Sequence, residues 1–255
     1  MTTCNHKSVP ADPHTCLTKD MSPSSQEQKE KMIAIPYREA VGALLYAAIT
    51  FQPDIAYALN QTASFIEIPG SAHWNAVKQI LAYLKGTVNF GIVFTGSVEK
   101  LNAFSDADFG RCIDSRKSIS GSFLRLNGPV TWGSKRKSCV ATSTTQAEYI
   151  AAFETTKDAV WMRNLLNEIS VKQTEPTPLF CDNQSTIKLT SNPEFHKRTK
   201  HFDIKYHYIR EQQEARLIET TYLDTNRQLA DLFTKPLRTP RFEELRASIG
   251  MKEVK

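Results

Sequence analysis

The sequence predicts an α/β fold: a mixed sheet flanked by helices, preceded by a small helical subdomain. Three observations predict it. Between Tyr37 and Gly86 apolar residues recur at intervals of three and four; from about Phe90 short strand-like runs take over; beyond about Thr144 strands and helices alternate. Strands grouped first imply antiparallel pairs, and strands alternating with helices imply parallel ones, so a single mixed sheet covered by helices satisfies both.

Taken in order, residues 1–34 carry Pro10, Pro13 and Pro23, several Ser and Thr, and the charged run QEQKEK, with little to bury. A disordered leader is expected there. Val41, Leu44, Leu45 and Ala48 then mark a helix, Pro53 resets the chain, and Asp54 opens a second helix. Ser71 can cap a third, whose stripe of Trp74, Val77, Ile80, Leu81 and Leu84 ends at Gly86. This helical segment, 35–88, holds no acid cluster or Gly-rich loop and reads as structural. Strands follow in FGIVF, LNAFSD, Gly121 to Leu126 and Val130 to Ser134, with Asn127-Gly128 as the hairpin signal and Pro129 tolerated at a strand's first residue. A long helix is expected from about Thr144 to Ile169, burying Ala147, Ala151, Met162, Leu165, Leu166 and Ile169. Beyond it come a strand ending in LFC, a helix from Asn183 to Leu189, a basic helix around Ile204 to Glu214, a strand at Leu217 to Tyr222 and a short helix at Leu229 to Phe233. The sheet domain thus spans 89–237, and 238–255 is expected to be a tail.

With 255 residues, 40% hydrophobic and 23% charged, the composition is that of a folded chain, and a formal net charge of +5 is compatible with a phosphate-rich partner. Five cysteines without a C-x-x-C pair argue for a reducing compartment. Cys4, His6, His14 and Cys16 have one-residue gaps that match no usual zinc-finger spacing. MTTCNHKSVP lacks the apolar core of a signal peptide, and the longest apolar run, Ala40 to Ile49, falls far short of the roughly 20 residues a bilayer needs. A soluble, intracellular protein with no membrane partner is expected, in a cytoplasmic particle or the nucleus.

The stretch from Ala103 to Gly110, AFSDADFG, carries the chemistry. Alternation puts Phe104 and Asp106 on one face, with Asp108 following, and a carboxylate on a mostly apolar strand is costly without a cation or a cap. Three more acids sit at element boundaries: Glu148 in the first turn of the long helix, Asp182 at a strand end, and Asp231 opening a short helix. Each has a local explanation, since Glu148 stands three residues after Thr145 as in a capping box, Asp182 could cap the next helix, and Asp231 complements a helix dipole. Jointly they suggest more. If the strands of Asp106 and Asp182 are neighbours, a helix packed across the sheet can deliver Glu148 beside them, and such a cluster stays ionised only around cations. All-carboxylate ligands select Mg2+ first and Mn2+ second, and a two-metal centre suits hydrolysis of a phosphodiester. Lys135, Arg136 and Lys137 form one basic cluster and Lys197, Arg198, Lys200, His201 and Lys205 a second; both can track phosphates or simply be solvated loop charges. Asn183 and Gln184 are candidates for detecting a 2′-hydroxyl, while Trp132 and Trp161 read as core or hairpin packing rather than base-stacking platforms.

SDAD at 105–108, TTQAEYIA at 144–151, FCDN at 180–183, HKRTKHFDIKYHYIRE at 196–211 and QLADLFTKPL at 228–237 together resemble the ribonuclease H domain of copia-type LTR retrotransposon Pol polyproteins. YREAVGALLYAAITFQPDIAYALN and HWNAVKQILAYLKGT resemble the end of the reverse transcriptase that precedes it. The resemblance covers roughly residues 35–238. It implies an RNase H-like sheet and Asp106, Glu148, Asp182 and Asp231 as ligands of two Mg2+ ions. It also implies the RNA strand of an RNA:DNA hybrid as substrate and the rest of a reverse transcriptase as partner. There are departures: no Y-x-D-D pair occurs, so polymerase activity is not expected, and LDTNRQ at 223–228 lacks the loop histidine of many ribonucleases H, for which His201 or His196 is the substitute candidate. Two other readings stand beside it, a non-catalytic relic that binds nucleic acid and an integrase-like transferase, although in integrases the Glu comes last.

Overall fold

The computed structural model describes residues 5–96, 100–191 and 203–254. Helices come first: α1 (Gln26–Ile33), α2 (Tyr37–Thr50), α3 (Ala56–Ala63) and α4 (Ser71–Gly86). Strands β1 (Phe90–Ile92), β2 (Asn102–Ala107), β3 (Ile119–Arg125) and β4 (Pro129–Arg136) follow, then the long helix α5 (Thr144–Glu168). Next are β5 (Thr177–Cys181), α6 (Gln184–Ser191), α7 (Asp203–Glu214) and β6 (Ile218–Tyr222). A 3-10 helix over Leu229–Phe233, α8 (Thr239–Ser248) and β7 (Met251–Glu253) close the series. No single helix among the described residues is long and apolar enough to cross a membrane; α1 and α2 reach that length only as a pair bent by 51°.

The chain divides into two compact units. One holds residues 94–111 and 117–234, and the other holds 1–93, 112–116 and 235–255. In the first, five strands run in the order β4-β3-β2-β5-β6. β4, β3 and β2 pair antiparallel, while β2, β5 and β6 pair parallel, which is the mixed sheet the sequence implied. β5 and β6 are each reached through helices, as parallel neighbours must be. The core between sheet and helices includes Leu101, Ala103, Leu124, Tyr149, Ala152, Ala159, Met162, Leu166, Leu179, Ile209 and Ile218.

The long helix α5 buries Ala147, Ala151, Met162 and Leu166 as expected, but not Leu165 (37% exposed) or Ile169 (60% exposed). Leu165 lies about 100° round the helix from Leu166, and Ile169 is already the C-cap. Trp161 is likewise 61% exposed rather than packed in the core, whereas Trp132 is half-buried on the β3–β4 hairpin.

In the other unit, Val77, Ile80 and Tyr83 of α4 are fully buried, and the Tyr37 hydroxyl ties α2 to α3 by donating to the Thr62 carbonyl at 2.8 Å. The leader from residue 5 onward is structured. Ser25 and Gln28 form a reciprocal capping box on α1, the Lys7 peptide N–H donates to the Ala82 carbonyl at 3.3 Å, and buried His73 bridges the Gly70 N–H and the Thr18 carbonyl. It is held by backbone and capping hydrogen bonds, which leave no apolar periodicity to read. The expected tail is also structured. Phe242, Leu245, Ile249 and Met251 are buried, and β7 pairs antiparallel with β1, matching Met251 to Ile92.

A buried polar relay lies in this unit. Tyr83 donates to Asp54 Oδ2, Arg246 donates to the Tyr83 hydroxyl at 3.1 Å, and the Arg246 guanidinium sits 4.3 Å above the Phe90 ring. Asp54 Oδ1 is buried without a hydrogen-bond partner. Burial pushes this carboxyl up to about 6, against the opposing pull of the Tyr83 hydrogen bond and the Arg246 charge. Because the folded-state value exceeds the ordinary 3.8, the folded chain favours the protonated acid. That stabilisation is complete below pH 4 and lost as pH rises through 6, on the order of 3 kcal/mol. Asp54→Asn should flatten the decline in urea midpoint between pH 4 and pH 8; an unchanged slope would show that another group causes it.

Candidate metal centre

The pairing of β2 with β5 sets the site. Ala103 lies opposite Leu179 and Phe104 opposite Phe180 in a parallel register. Two residues further along each strand direction come Asp106 and Asp182, so the two acids leave the sheet side by side at the carboxyl ends. α5 crosses this end. Its N-cap is Ser143, whose side chain accepts from the Gln146 N–H at 3.1 Å, so Glu148 is not the partner of a capping box begun by Thr145. It points instead at the two aspartates: one carboxylate oxygen from each of Asp106, Glu148 and Asp182 lies within 4.8 Å of the others.

Burial makes this grouping costly. Asp106 is 1% and Glu148 7% exposed, and Asp182 is half-buried. Thr234 Oγ1 donates to Asp106 Oδ2, and Thr225 Oγ1 donates to Asp182 Oδ2 at 2.8 Å, whereas Glu148 Oε2 is buried with no hydrogen-bond partner. Burial, and then the charges of Asp106 and Asp182, raise the Glu148 carboxyl well above its usual range. An orphaned buried oxygen facing two further carboxylates is the arrangement a cation would relieve. The donor set is hard. The sulfur beside the acids, that of Cys181, is buried next to the Ser105 hydroxyl (3.1 Å), and burial pushes its thiol up to about 12, so it stays neutral and offers no thiolate to zinc. These residues fit Mg2+ or Mn2+.

Asp108 and Lys137 flank the cluster. Asp108 Oδ1 accepts from the Ile119 N–H at 2.6 Å, its Oδ2 is buried without a partner, and burial raises the carboxyl to about 6. Lys137 was expected on a phosphate-tracking surface, but it is 6% exposed and its ammonium donates to the Ala147 carbonyl. Burial lowers it to about 8, held there against the opposing charges of Glu148 and Asp108. Of its basic cluster, Lys135 is exposed and Arg136 half-buried. Asn183 spends its side-chain oxygen capping α6, accepting from the Thr186 N–H at 3.0 Å, while Gln184 is exposed. Lys197, Arg198, Lys200, His201 and His196 lie outside the described residues, as does Cys4 of the weighed zinc quartet.

Asp231 is buried on the 3-10 helix Leu229–Phe233 but is not one of the three acids whose oxygens converge. That helix reaches the site over Gly121, which lies directly across β2–β3 from Asp106. A Cβ at Gly121 would stand 2.8 Å from the Ala230 carbonyl oxygen and from Thr234 Cγ2, so only glycine permits the approach that brings Thr234 to Asp106. Gln228, at the start of the same turn, is the residue that sequence reasoning missed. Fully buried, its amide donates to the carbonyls of Ser105 on β2 (3.0 Å) and Phe180 on β5 (3.4 Å), and its oxygen accepts from the Ala230 N–H. It clamps together the two strands that carry the aspartates. Its only signal was its place at the head of QLADLF.

No protein-family model matches the sequence. The chain is 42% identical over 245 residues to the retrovirus-related Pol polyprotein from transposon TNT 1-94 of Nicotiana tabacum, covering 96% of this chain and 18% of that protein. It is 39% identical over 220 residues to the Pol polyprotein from transposon RE1 of Arabidopsis thaliana, covering 86% of this chain and 15% of that protein. The chain belongs to the copia-type retrotransposon Pol family. It spans less than a fifth of those relatives' length. Among solved structures, LC11-RNase H1 aligns with a TM-score of 0.40 at 11% identity, over 54% of this chain and 94% of that one.

Replacing the clamp tests how the site is held. Gln228→Leu keeps the volume but strands two strand carbonyls, and should lower the unfolding free energy by about 2 kcal/mol or more. A urea midpoint equal to the parent's would remove Gln228 from the support of the site.

Proposed function

We propose that this chain is a ribonuclease of the RNase H type that hydrolyses the RNA strand of RNA:DNA hybrids, as part of a retrotransposon Pol and alongside its reverse transcriptase. The observation that carries the reading is the convergence of one oxygen each from Asp106, Glu148 and Asp182 within 4.8 Å at the end of a parallel strand pair. Membership of the copia-type Pol family agrees with it.

In this reading Asp106, Glu148, Asp182 and Asp231 hold two Mg2+ ions, with Mn2+ as substitute. When bound, the ions supply activation of a water and charge stabilisation at the departing oxygen during in-line displacement at phosphorus. The chain's own residues do the rest. Thr234 and Thr225 fix the orientation of the two aspartates, and burial of Asp106 and Glu148 keeps competing water away and strengthens every charge interaction there. Lys135 and Arg136, and on the same reading Lys197, Arg198, Lys200 and His201, attract the phosphate backbone. Gln184, exposed beside Asp182, is the candidate for reading the 2′-hydroxyl, with the side-chain amide of Asn183 next to it.

The test is degradation of a labelled hybrid in Mg2+. The parent should degrade the RNA strand and spare the DNA strand, and Asp106→Asn or Glu148→Gln should slow this by roughly 100-fold or more, the scale of losing one electrostatic contact with a transition state. Salt-sensitive binding of the hybrid without any Mg2+-dependent loss of RNA would replace the nuclease by a non-catalytic nucleic-acid-binding relic.

A further inference from the structure

We propose that Lys137 is an internal counter-cation of the carboxylate centre: a positioning residue that fixes Glu148 through the carbonyl beside it and whose charge opposes the entry of a divalent ion. A lysine is rarely buried without a partner, yet Lys137 is 6% exposed. Its backbone is tied down, the N–H donating to the Ser118 carbonyl at 2.9 Å, next to Ile119 whose N–H holds Asp108. Its stem therefore starts beside Asp108. Its head ends at the Ala147 carbonyl, one residue before Glu148. Of the groups whose charges act on the ammonium, Glu148 acts most strongly, followed by Asp108, Cys139 and Asp106. Nothing in the ribonuclease reading uses it, because a buried side chain cannot track a phosphate backbone.

Two consequences follow from one charge. In the ion-free protein the ammonium offsets part of the repulsion among acids that burial has brought together, and it anchors the first turn of α5 so that Glu148 keeps its direction. Toward an arriving Mg2+ or Mn2+ the same charge is repulsive, so part of the acids' attraction is already spent. Removing the charge should strengthen ion binding and loosen Glu148. A lysine that only supported the fold would act with the opposite sign, its loss weakening the ion site together with the structure.

The proposal rests on the carboxylate centre binding divalent ions, and direct Mn2+ binding, measured by electron paramagnetic resonance at pH 7 in the full chain, separates the two. In Lys137→Met, Mn2+ should bind about tenfold more tightly than in the parent, while kcat on the hybrid falls by about 10-fold or more at unchanged KM. Lys137→Arg, which keeps the charge, should restore parental Mn2+ affinity. If the parent binds no Mn2+, the metal centre itself fails and this proposal with it. If the parent binds Mn2+ and Lys137→Met binds it equally or less tightly, the counter-cation is overturned while the nuclease reading stands. Should Lys137→Met not fold, the parent decides: the Lys137 side-chain 13Cε signal, assigned by its loss in Lys137→Arg, should move on Mg2+ addition, and a stationary signal overturns the proposal.

Discussion

Everything at the candidate site depends on the parallel pairing of β2 with β5. The two strands are far apart in sequence, and their register alone decides that Asp106 and Asp182 leave the sheet as neighbours. A slip by one residue would turn one of the two aspartates to the opposite face. Gln228 guards against this by bonding a carbonyl on each strand just before the acids, with Ser105 and Cys181 in contact across the same pair. The turn that supplies Gln228 also supplies Thr234, and it can lie so close only because β3 presents Gly121 there. Register, clamp and glycine therefore form one device.

That device works against electrostatics. Bringing carboxylates together in a buried place raises the free energy of the ionised, ion-free protein, and the upward displacement of Glu148 and Asp108 is its signature. The cost must be met by packing elsewhere in the sheet unit, where Leu101, Leu124 and Leu179 are fully buried. Lys137 offsets some of it from inside. Such local destabilisation in a well-packed framework is the usual mark of a functional centre rather than of a structural one.

How much of this could be read from the residues differs by element. The mixed character of the sheet follows from the hairpin signal at Asn127-Gly128 and from the alternation after α5, whereas the order that sets β2 beside β5 is visible only in the folded chain; Asp106 stands out because an acid on an apolar strand has no inexpensive local role. Glu148 has such a role on paper. The spacing from Thr145 supplies it, and only the folded helix, whose N-cap is Ser143, frees Glu148 for the cluster. Lys137 is misread because sequence shows its charge but not its burial, which β3 and α5 impose from a distance. Leu165 and Ile169 are misread for the converse reason, since apolar character suggests burial that the helix phase denies them. The leader escapes because capping and backbone bonds leave no periodic trace, whereas the terminal helix does carry one, Phe242, Leu245 and Ile249 at intervals of three and four, too short a run to stand out.

The hydrogen bonds around the acids belong to the folded chain and need no ion to form. Thr234 holds Asp106, Thr225 holds Asp182, and the Gln228 clamp fixes the strands beneath both. Each neutral donor takes one lone pair of its carboxylate and leaves the rest of the group to face its neighbours, so the ligands are oriented before any charge arrives. Glu148 differs, with one oxygen buried and bonded to nothing. Its carboxylate has a backbone hydrogen bond at Ala107, at the end of β2, and the orphaned oxygen leaves it the acid most responsive to a nearby cation. In a site arranged this way hydrogen bonds orient all three acids, and the one buried oxygen they leave unbonded lies on the helix turn that carries Glu148.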